Sequence, residues 1–204
     1  MTIEKGAAWG HQGVLAEGSP VCATDAELRE LVVSALSHGG DMPGQVGLTG
    51  GDLWRTCGSP GGGLDRLHTQ ALVAPIDVVR VDFDGSVTWF VAHLVLRRSW
   101  WYGRVVGAMN AEFLGNWDVG TRTHPNDGRV DVYDVSMDVV QRWRAWRRLP
   151  TGRHVPHPAI SVRRVKNIEI ELDRAADLYL DGERVARTRR VGLTVLPDAL
   201  TVVV

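Results

Sequence analysis

The sequence predicts a mainly β, α+β protein: an antiparallel β-sandwich or barrel-like body carrying a small α/β segment at its N-terminal end. Three observations predict it. Asp-Gly pairs at 84–85, 127–128 and 181–182 each stand between apolar, strand-favouring runs, and Asp-Gly accepts the positive φ that a tight type I′ hairpin turn requires. From about Leu72 onward most segments alternate or run apolar over strand lengths. Helical patterning is confined to one stretch near the N-terminus and one in the middle of the body.

In order, a loose glycine-dotted start leads into "ATDAELRELVVSALSHGG", where Thr24 or Asp25 caps a helix. Leu28, Leu31, Val32 and Leu36 share one face of it, and Gly39 and Gly40 stop it. "QVGL" reads as a strand, followed by a glycine loop and a brief helix near Leu53 to Thr56. The body opens with "VRVDFDGSVTWFVAHLVL", a hairpin about Asp84-Gly85. "PNDGRVDVYDV" and "DLYLDGERVA" read as two more hairpins, about Asp127-Gly128 and Asp181-Gly182. Between them "SMDVVQRWRAWRRLP" is a helix begun by Ser136 and ended by Pro150. "ISVRRVKNIEIEL", "RVGLTVL" and "ALTVVV" complete the strands. We divide the chain into an α/β segment at 1–60 and a sandwich at 61–204.

At 204 residues the chain can bury a sizeable core. Its 23 basic and 24 acidic residues nearly cancel, so net charge calls for neither nucleic acid nor an anionic membrane. Lysine occurs only at Lys5 and Lys166, an arginine bias expected of a GC-rich, bacterial genome. Cys22 and Cys57 lack metal-type spacing, and the start lacks a signal-peptide pattern. With no apolar run near the roughly 20 residues that cross a bilayer, the expectation is a cytoplasmic protein with reduced thiols, peripheral at most at the inner membrane face.

"VGLTGGDLWRTCGSPGGG", residues 46–63, is the first place where chemistry could reside. Its glycines, Gly50 and Gly51 above all, let backbone N–H groups approach a phosphate ahead of a short helix. The same residues also suit a plain glycine turn with Asp52 as helix cap. A Walker-type loop is excluded, because no Lys-Ser/Thr follows and the glycine spacing is wrong. "LYLDGERV" places Asp181 and Glu183 on either side of a hairpin glycine, where carboxylates hold Mg²⁺ or accept a hydroxyl proton, or merely flank a turn. "THPNDGRVD" adds Asp127 and Asp131. His154 and His157 have no Cys or acidic partner in metal-ligand order, and no Gly-x-Ser-x-Gly elbow occurs. On the central helix Val139, Val140, Trp143 and Trp146 lie towards one side, suiting either a membrane interface or a cover for the sandwich. The arginines lack the strand-borne aromatic platforms of nucleic-acid binders.

Read together, these fragments resemble the lipid kinases that include bacterial diacylglycerol kinases and sphingosine kinases. "LTGGDLWRTCGSP" is similar to that family's "GTGNDFARSLGIP", and "HPNDGRVDVYDV" to its acidic Asp-Asp-Gly segment. "LPTGRHVPHPAISVRRVKNIEIE" is similar to its Gly-x-His stretch, "LYLDGERV" to its Asp-Gly-Glu strand, and "LTVLPDALTVVV" to its closing strand. The matches keep the family's order over residues 46–204. The resemblance implies a C-terminal lipid-kinase sandwich in which Asp181 and Glu183 sit near a reacting hydroxyl. It implies that Gly50, Gly51 and Asp52 face a nucleotide, and that Asp52 and Asp127 belong to the Mg²⁺ and acidic network. ATP and Mg²⁺ would be the cofactors of an active member.

Two features depart from the family. No "GGDGT" loop occurs in this chain, and the family's "GND" asparagine is replaced by Gly51. A phosphate cradle supplies much of the transition-state charge stabilisation. The expected function is therefore a module that binds a lipid or other hydrophobic molecule without a complete ATP site. The alternatives are a lipid kinase completed by a partner or homodimer, and a structural or regulatory subunit. A homodimer is expected because a truncated lobe leaves apolar surface to cover.

Overall fold

The computed structural model describes residues 9–37 and 39–204; residues 1–8 of the loose start, and His38 at the end of the first predicted helix, lie outside the described residues. Two short strands, β1 (His11–Gly13) and β2 (Val21–Cys22), precede helix α1 (Asp25–Ser37). Strand β3 (Val46–Leu48) and helices α2 (Gly51–Thr56) and α3 (Gly63–Leu67) follow. The body then runs through β4 (Ala71–Phe83), β5 (Ser86–Phe90), β6 (His93–Arg97), β7 (Val105–Met109), a small ribbon of β8 (Phe113–Leu114) with β9 (Trp117–Asp118), and β10 (Val130–Val135). Helix α4 (Val139–Trp146), a 3₁₀ turn at Leu149–Thr151, β11 (Ile160–Val165), β12 (Asn167–Leu180) and β13 (Glu183–Val203) complete it.

Eleven strands join in one sheet, ordered β1-β4-β13-β12-β6-β7-β10-β11, with β5 on β4 and with β2 and β3 attached beside the end of β13. The body pairings are antiparallel, whereas β3 lies parallel to β13, Val46 opposite Val202. The sheet curls so that β4, β5, β6, β7, β10, β12 and β13 all contribute to one core, with Phe90, Leu94, Leu96, Leu178 and Leu180 fully buried. A second core seals the N-terminal segment onto the sheet: Leu28 and Val32 of α1 and Leu53 of α2 meet Ile76, Val78, Val91 and Val202. This mainly β, sandwich-like architecture with an α/β addition is the predicted fold class.

The hairpins at Asp84-Gly85 and Asp181-Gly182 form as expected, with φ of 47° and 80° at the first and 48° and 88° at the second. The third does not. Asp127-Gly128 belongs to a loop before β10, and β10 pairs with β7 and β11 instead of with the preceding segment. Buried Asp77 of β4 explains why: its carboxylate accepts the N–H of Gly128 at 2.6 Å and of Asp198 at 3.0 Å, while Asp77 N donates to Pro125 O at 2.6 Å. These bonds hold the loop against the sheet and satisfy backbone groups that a hairpin would have paired in a ladder. "RVGLTVL" and "ALTVVV" are one 21-residue strand, β13, with a register shift between Leu196 and Leu200 that accommodates Pro197.

Thr24 caps α1, its hydroxyl accepting Glu27 N at 3.2 Å, which leaves the Asp25 carboxylate free to act elsewhere. Helix α4 begins later than Ser136: Asp138 is its N-cap, accepting Gln141 N at 2.8 Å while Gln141 Oε1 accepts Asp138 N at 3.2 Å. Cys22 and Cys57 are free thiols. Among the described residues no helix is long and apolar enough to cross a membrane. The cap assignment predicts that Asp138→Ala lowers unfolding free energy by about 1 kcal/mol, whereas Ser136→Ala leaves it unchanged within error, both read by urea denaturation.

Candidate functional site

Two sites occupy the same side of β6. The first is an acidic cleft where α1, α2, the β8–β9 ribbon and the β12–β13 turn meet, lined by Asp25, Asp52, His93, Asp181 and Glu183 among others. The three residues on which a lipid-kinase reading turns, Asp52, Asp181 and Glu183, thus share one cleft. Asp127 does not join them. It lies beside β10 and β11, ion-paired to Arg164 at 2.8 Å and accepting Arg129 N at 2.9 Å, so it holds no ligand in common with Asp52.

Each carboxylate in the cleft is already engaged. Asp25, at the start of α1, accepts the N–H groups of Asp52 at 2.6 Å and Leu53 at 3.1 Å. It thereby caps α2 from outside, where the glycine loop suggested that a phosphate would bind. Gly51 is required there, since φ is 97° and a Cβ would come within 2.5 Å of Asp25 Oδ1. Asp52 Oδ2 accepts Gly115 N at 2.8 Å and meets His93 Nε2 at 3.1 Å. Asp181 accepts three backbone N–H groups, from Val91 at 3.0 Å, Ala92 at 2.8 Å and His93 at 3.0 Å. Glu183, half-exposed at the rim, is ion-paired with Arg29 of α1.

Burial dominates the electrostatics. It pushes the Asp25 carboxyl up to about 6, reinforced by the nearby Asp181 charge. Burial also raises Asp181, against the pull of His93 and of its three N–H donors. Burial opposes charge on Asp52 too, but its hydrogen bonds to His93 and Gly115 win and hold it below the usual range. For His93, burial disfavours the imidazolium, yet Asp52 and the Asp181 charge more than compensate and raise it. Asp25, Asp52 and His93 present ligand atoms within 4.8 Å of one another. As they stand they are a poor fit for Mg²⁺, which favours an all-oxygen shell: one donor is an imidazole, both Asp25 oxygens and Asp52 Oδ2 already accept N–H groups, and the remaining Asp52 Oδ1 lies 3.8 Å from Arg55. The α2 N-terminus likewise does not fit a nucleotide phosphate while Asp25 occupies it.

The second site is an apolar cavity of about 260 Å³ under α4. Strand alternation builds it. Leu94 and Leu96 of β6, Val106 and Ala108 of β7, and Val130 and Val132 of β10 point into the core. The intervening Val95, Val105, Gly107, Met109, Tyr133 and Val135 line the cavity. Tryptophans close it: Trp100 packs edge-on against Trp117 at 5.2 Å and Trp101 against Trp146 at 6.1 Å. Leu114 lines both cavity and cleft.

Residues 71–204 match the family model described as the YegS C-terminal NAD kinase beta sandwich-like domain. The chain belongs to that family. Among solved structures it is similar to a putative diacylglycerol kinase from Bacillus anthracis str. Sterne, with a TM-score of 0.66 and 16% identity over 90% of this chain and 76% of that one. A second structure of a putative diacylglycerol kinase from that organism gives 0.65 and 15% over the same shares. A third, described as a diacylglycerol kinase, gives 0.55 and 16% over 79% and 67%. At such identities these likenesses concern the fold. No curated protein matches the chain. The lipid-kinase resemblance of the five ordered motifs is borne out at the level of family and fold.

Asp25, His93, Arg142 and His154 are the residues that motif reading undervalued. Asp25 reads only as one of two candidate caps for the first helix, and His93 lies apart from the other histidines with no role assigned by any motif. On α4 the side with Val139, Val140, Trp143 and Trp146 does not pack down as a cover for the sandwich: these residues are each about half exposed, Trp146 also lining the cavity rim, and the buried side chain is Arg142.

The cleft predicts a pH dependence. Asp25 and His93 both have folded-state values above their ordinary ones of 3.8 and 6.5, so their contributions are complete below those values and fade as pH rises through the raised ones. Asp52 is shifted the other way, but its contribution fades only below 3.8. Between about pH 5 and pH 8 Asp25 and His93 therefore pull the melting temperature down as pH rises, against His124 and His154, whose values burial lowers and which act in the opposite sense; relative to wild type, His93→Gln should tilt the slope of a calorimetric pH series towards rising stability at higher pH.

Proposed function

We propose that the chain is a lipid- or hydrophobic-ligand-binding module of a diacylglycerol-kinase-like family, holding its ligand in the cavity beneath α4. The aromatic-walled cavity carries this reading. It is apolar on nearly every side and bounded by rigid strands, the usual character of a small-molecule site. Trp101 and Trp146 stand at its rim, about half exposed. The outward Val139, Val140 and Trp143, beside Arg144 and Arg147, match the headgroup layer of an anionic bilayer, from which a lipid would enter.

Gly107 provides a direct test. A Cβ there would meet only Leu94 O at 3.9 Å, and φ is not positive, so a larger residue fits the strand while its side chain fills the cavity. Gly107→Leu should abolish binding of a long-chain alcohol, followed by tryptophan fluorescence, with the melting temperature held within a few degrees. Unchanged binding would place the ligand elsewhere and defeat the reading.

Phosphoryl transfer, with ATP and Mg²⁺ supplied through a partner lobe or second copy, is the alternative. It is favoured by one observation, the adjacency of acidic cleft and cavity across Leu114. In that reading Asp181 and Glu183 would lie beside the reacting hydroxyl, with Gly50, Gly51 and Asp52 towards the nucleotide. Capping of α2 by Asp25 argues against it in the isolated chain. Millimolar Mg²⁺-ATP should accordingly leave the melting temperature unchanged; a rise of several degrees would favour the transferase.

A further inference from the structure

Within the cavity two polar side chains stand out against the apolar lining. Arg142, only 6% exposed, projects inward from α4. Its Nε donates to Met137 O at 3.0 Å, one terminal nitrogen to Trp100 O at 3.1 Å and the other to Gly103 O. A guanidinium has five N–H groups, so two are left over. No carboxylate is paired with it among the described residues, and burial alone pulls its pKa down. His154 is equally buried at 6% exposed, and neither ring nitrogen has a hydrogen-bond partner.

A buried cation without a counter-charge is costly, as is a buried imidazole with both nitrogens unmatched. Three backbone carbonyls solvate the guanidinium but do not neutralise it. Two other partly buried arginines are paired with acids, Arg104 with Asp134 at 2.7 Å and Arg29 with Glu183. Structural anchoring of the Trp100–Gly103 loop accounts for two N–H groups of Arg142, and the bond to Met137 O for a third. It accounts for neither the leftover two nor His154. Both residues line one cavity, and one ligand group answers both deficits: an oxyanion, which accepts from the guanidinium and, once the ring turns to meet it, from the imidazole N–H.

We propose that the cavity selects a single-chain amphiphile with an anionic head, a carboxylate or a phosphate monoester, held by Arg142 with His154 as a second contact. The proposal rests on the ligand-binding reading above and narrows it to a chemical class. At about 30 Å³ per water-sized group, close to a methylene, the 260 Å³ cavity takes a chain of roughly nine carbons.

The test compares decanoate, decyl phosphate and decanol on the wild-type chain by tryptophan fluorescence and isothermal titration calorimetry. At least one anion should bind about tenfold or more tightly than the alcohol, as expected for hydrogen bonds to a charged group; which anion leads distinguishes a fatty-acid-like head from a phosphate head. Arg142→Met should erase that preference while alcohol binding persists, and His154→Phe should reduce it. Equal binding of all three in the wild type would overturn the anion proposal and leave the cavity reading standing. Binding of none would overturn both. Because the decisive comparison uses the wild-type chain, a poorly folding Arg142 variant cannot rescue or obscure the result.

Discussion

The bend between β5 and β6 is the constraint on which both sites depend. At Val91 and Ala92 the chain leaves β4 as its neighbour and takes up β12 and β7, so three consecutive N–H groups have no ladder partner. Asp181 accepts all three from the tip of the β12–β13 hairpin, and Asp181 N returns a bond to His93 O at 2.9 Å. Asn110 completes the accounting by donating to Val91 O at 2.8 Å and Asp77 O at 2.9 Å. A buried backbone turn without such partners would cost roughly 1–3 kcal/mol for each unmet group. The Asp-Gly turn therefore does more than reverse the chain: its carboxylate fixes the register from which β6 starts.

That register decides what faces where. With Leu94 and Leu96 pointing into the core, His93 must point into the cleft and Val95 into the cavity. The same parity carries through β7 and β10, whose other faces form the cavity floor. These strands are apolar on both faces because one covers the core and the other an apolar cavity closed by α4. Asp25 plays the corresponding part for the N-terminal segment, since its carboxylate joins α1 to α2 and sets Asp52 opposite His93.

Much of this was legible in the sequence where local chemistry alone decides it. Two Asp-Gly hairpins, α1 and the strand-rich body follow from turn preference and apolar spacing, and the structure adopts them. The Asp127-Gly128 turn was misread because Asp77, distant in sequence, claims its N–H; no local pattern announces such a partner. The start of α4 fell at Asp138 because its capping box with Gln141 outcompetes the lone Ser136. The orientation of α4 was illegible for a deeper reason. An apolar stripe is assumed to face inward, but here the inward face carries Arg142, because the space beneath is a cavity and not a packed core. The acidic cleft was half legible: Asp52, Asp181 and Glu183 could be drawn from ordered motifs, whereas Asp25 and His93 reach it only through tertiary contact.

The two sites also bear on each other through Leu114. The β8–β9 ribbon that carries it is tied to the cleft by Gly115 N on Asp52, and Arg55 of α2 donates to Gly115 O while stacking on Phe113 at 4.1 Å. Displacement of Leu114 by a molecule in the cavity would strain the Gly115–Asp52 bond, and Asp52 is the neighbour that does most to raise the His93 pKa. With Asp25 in the place a phosphate would take, the cleft is a network of carboxylates and one imidazole whose charge state rests on a ribbon two residues wide on each side. The fold thus links an apolar binding space to a titratable cluster by one leucine, whichever chemistry the cluster serves.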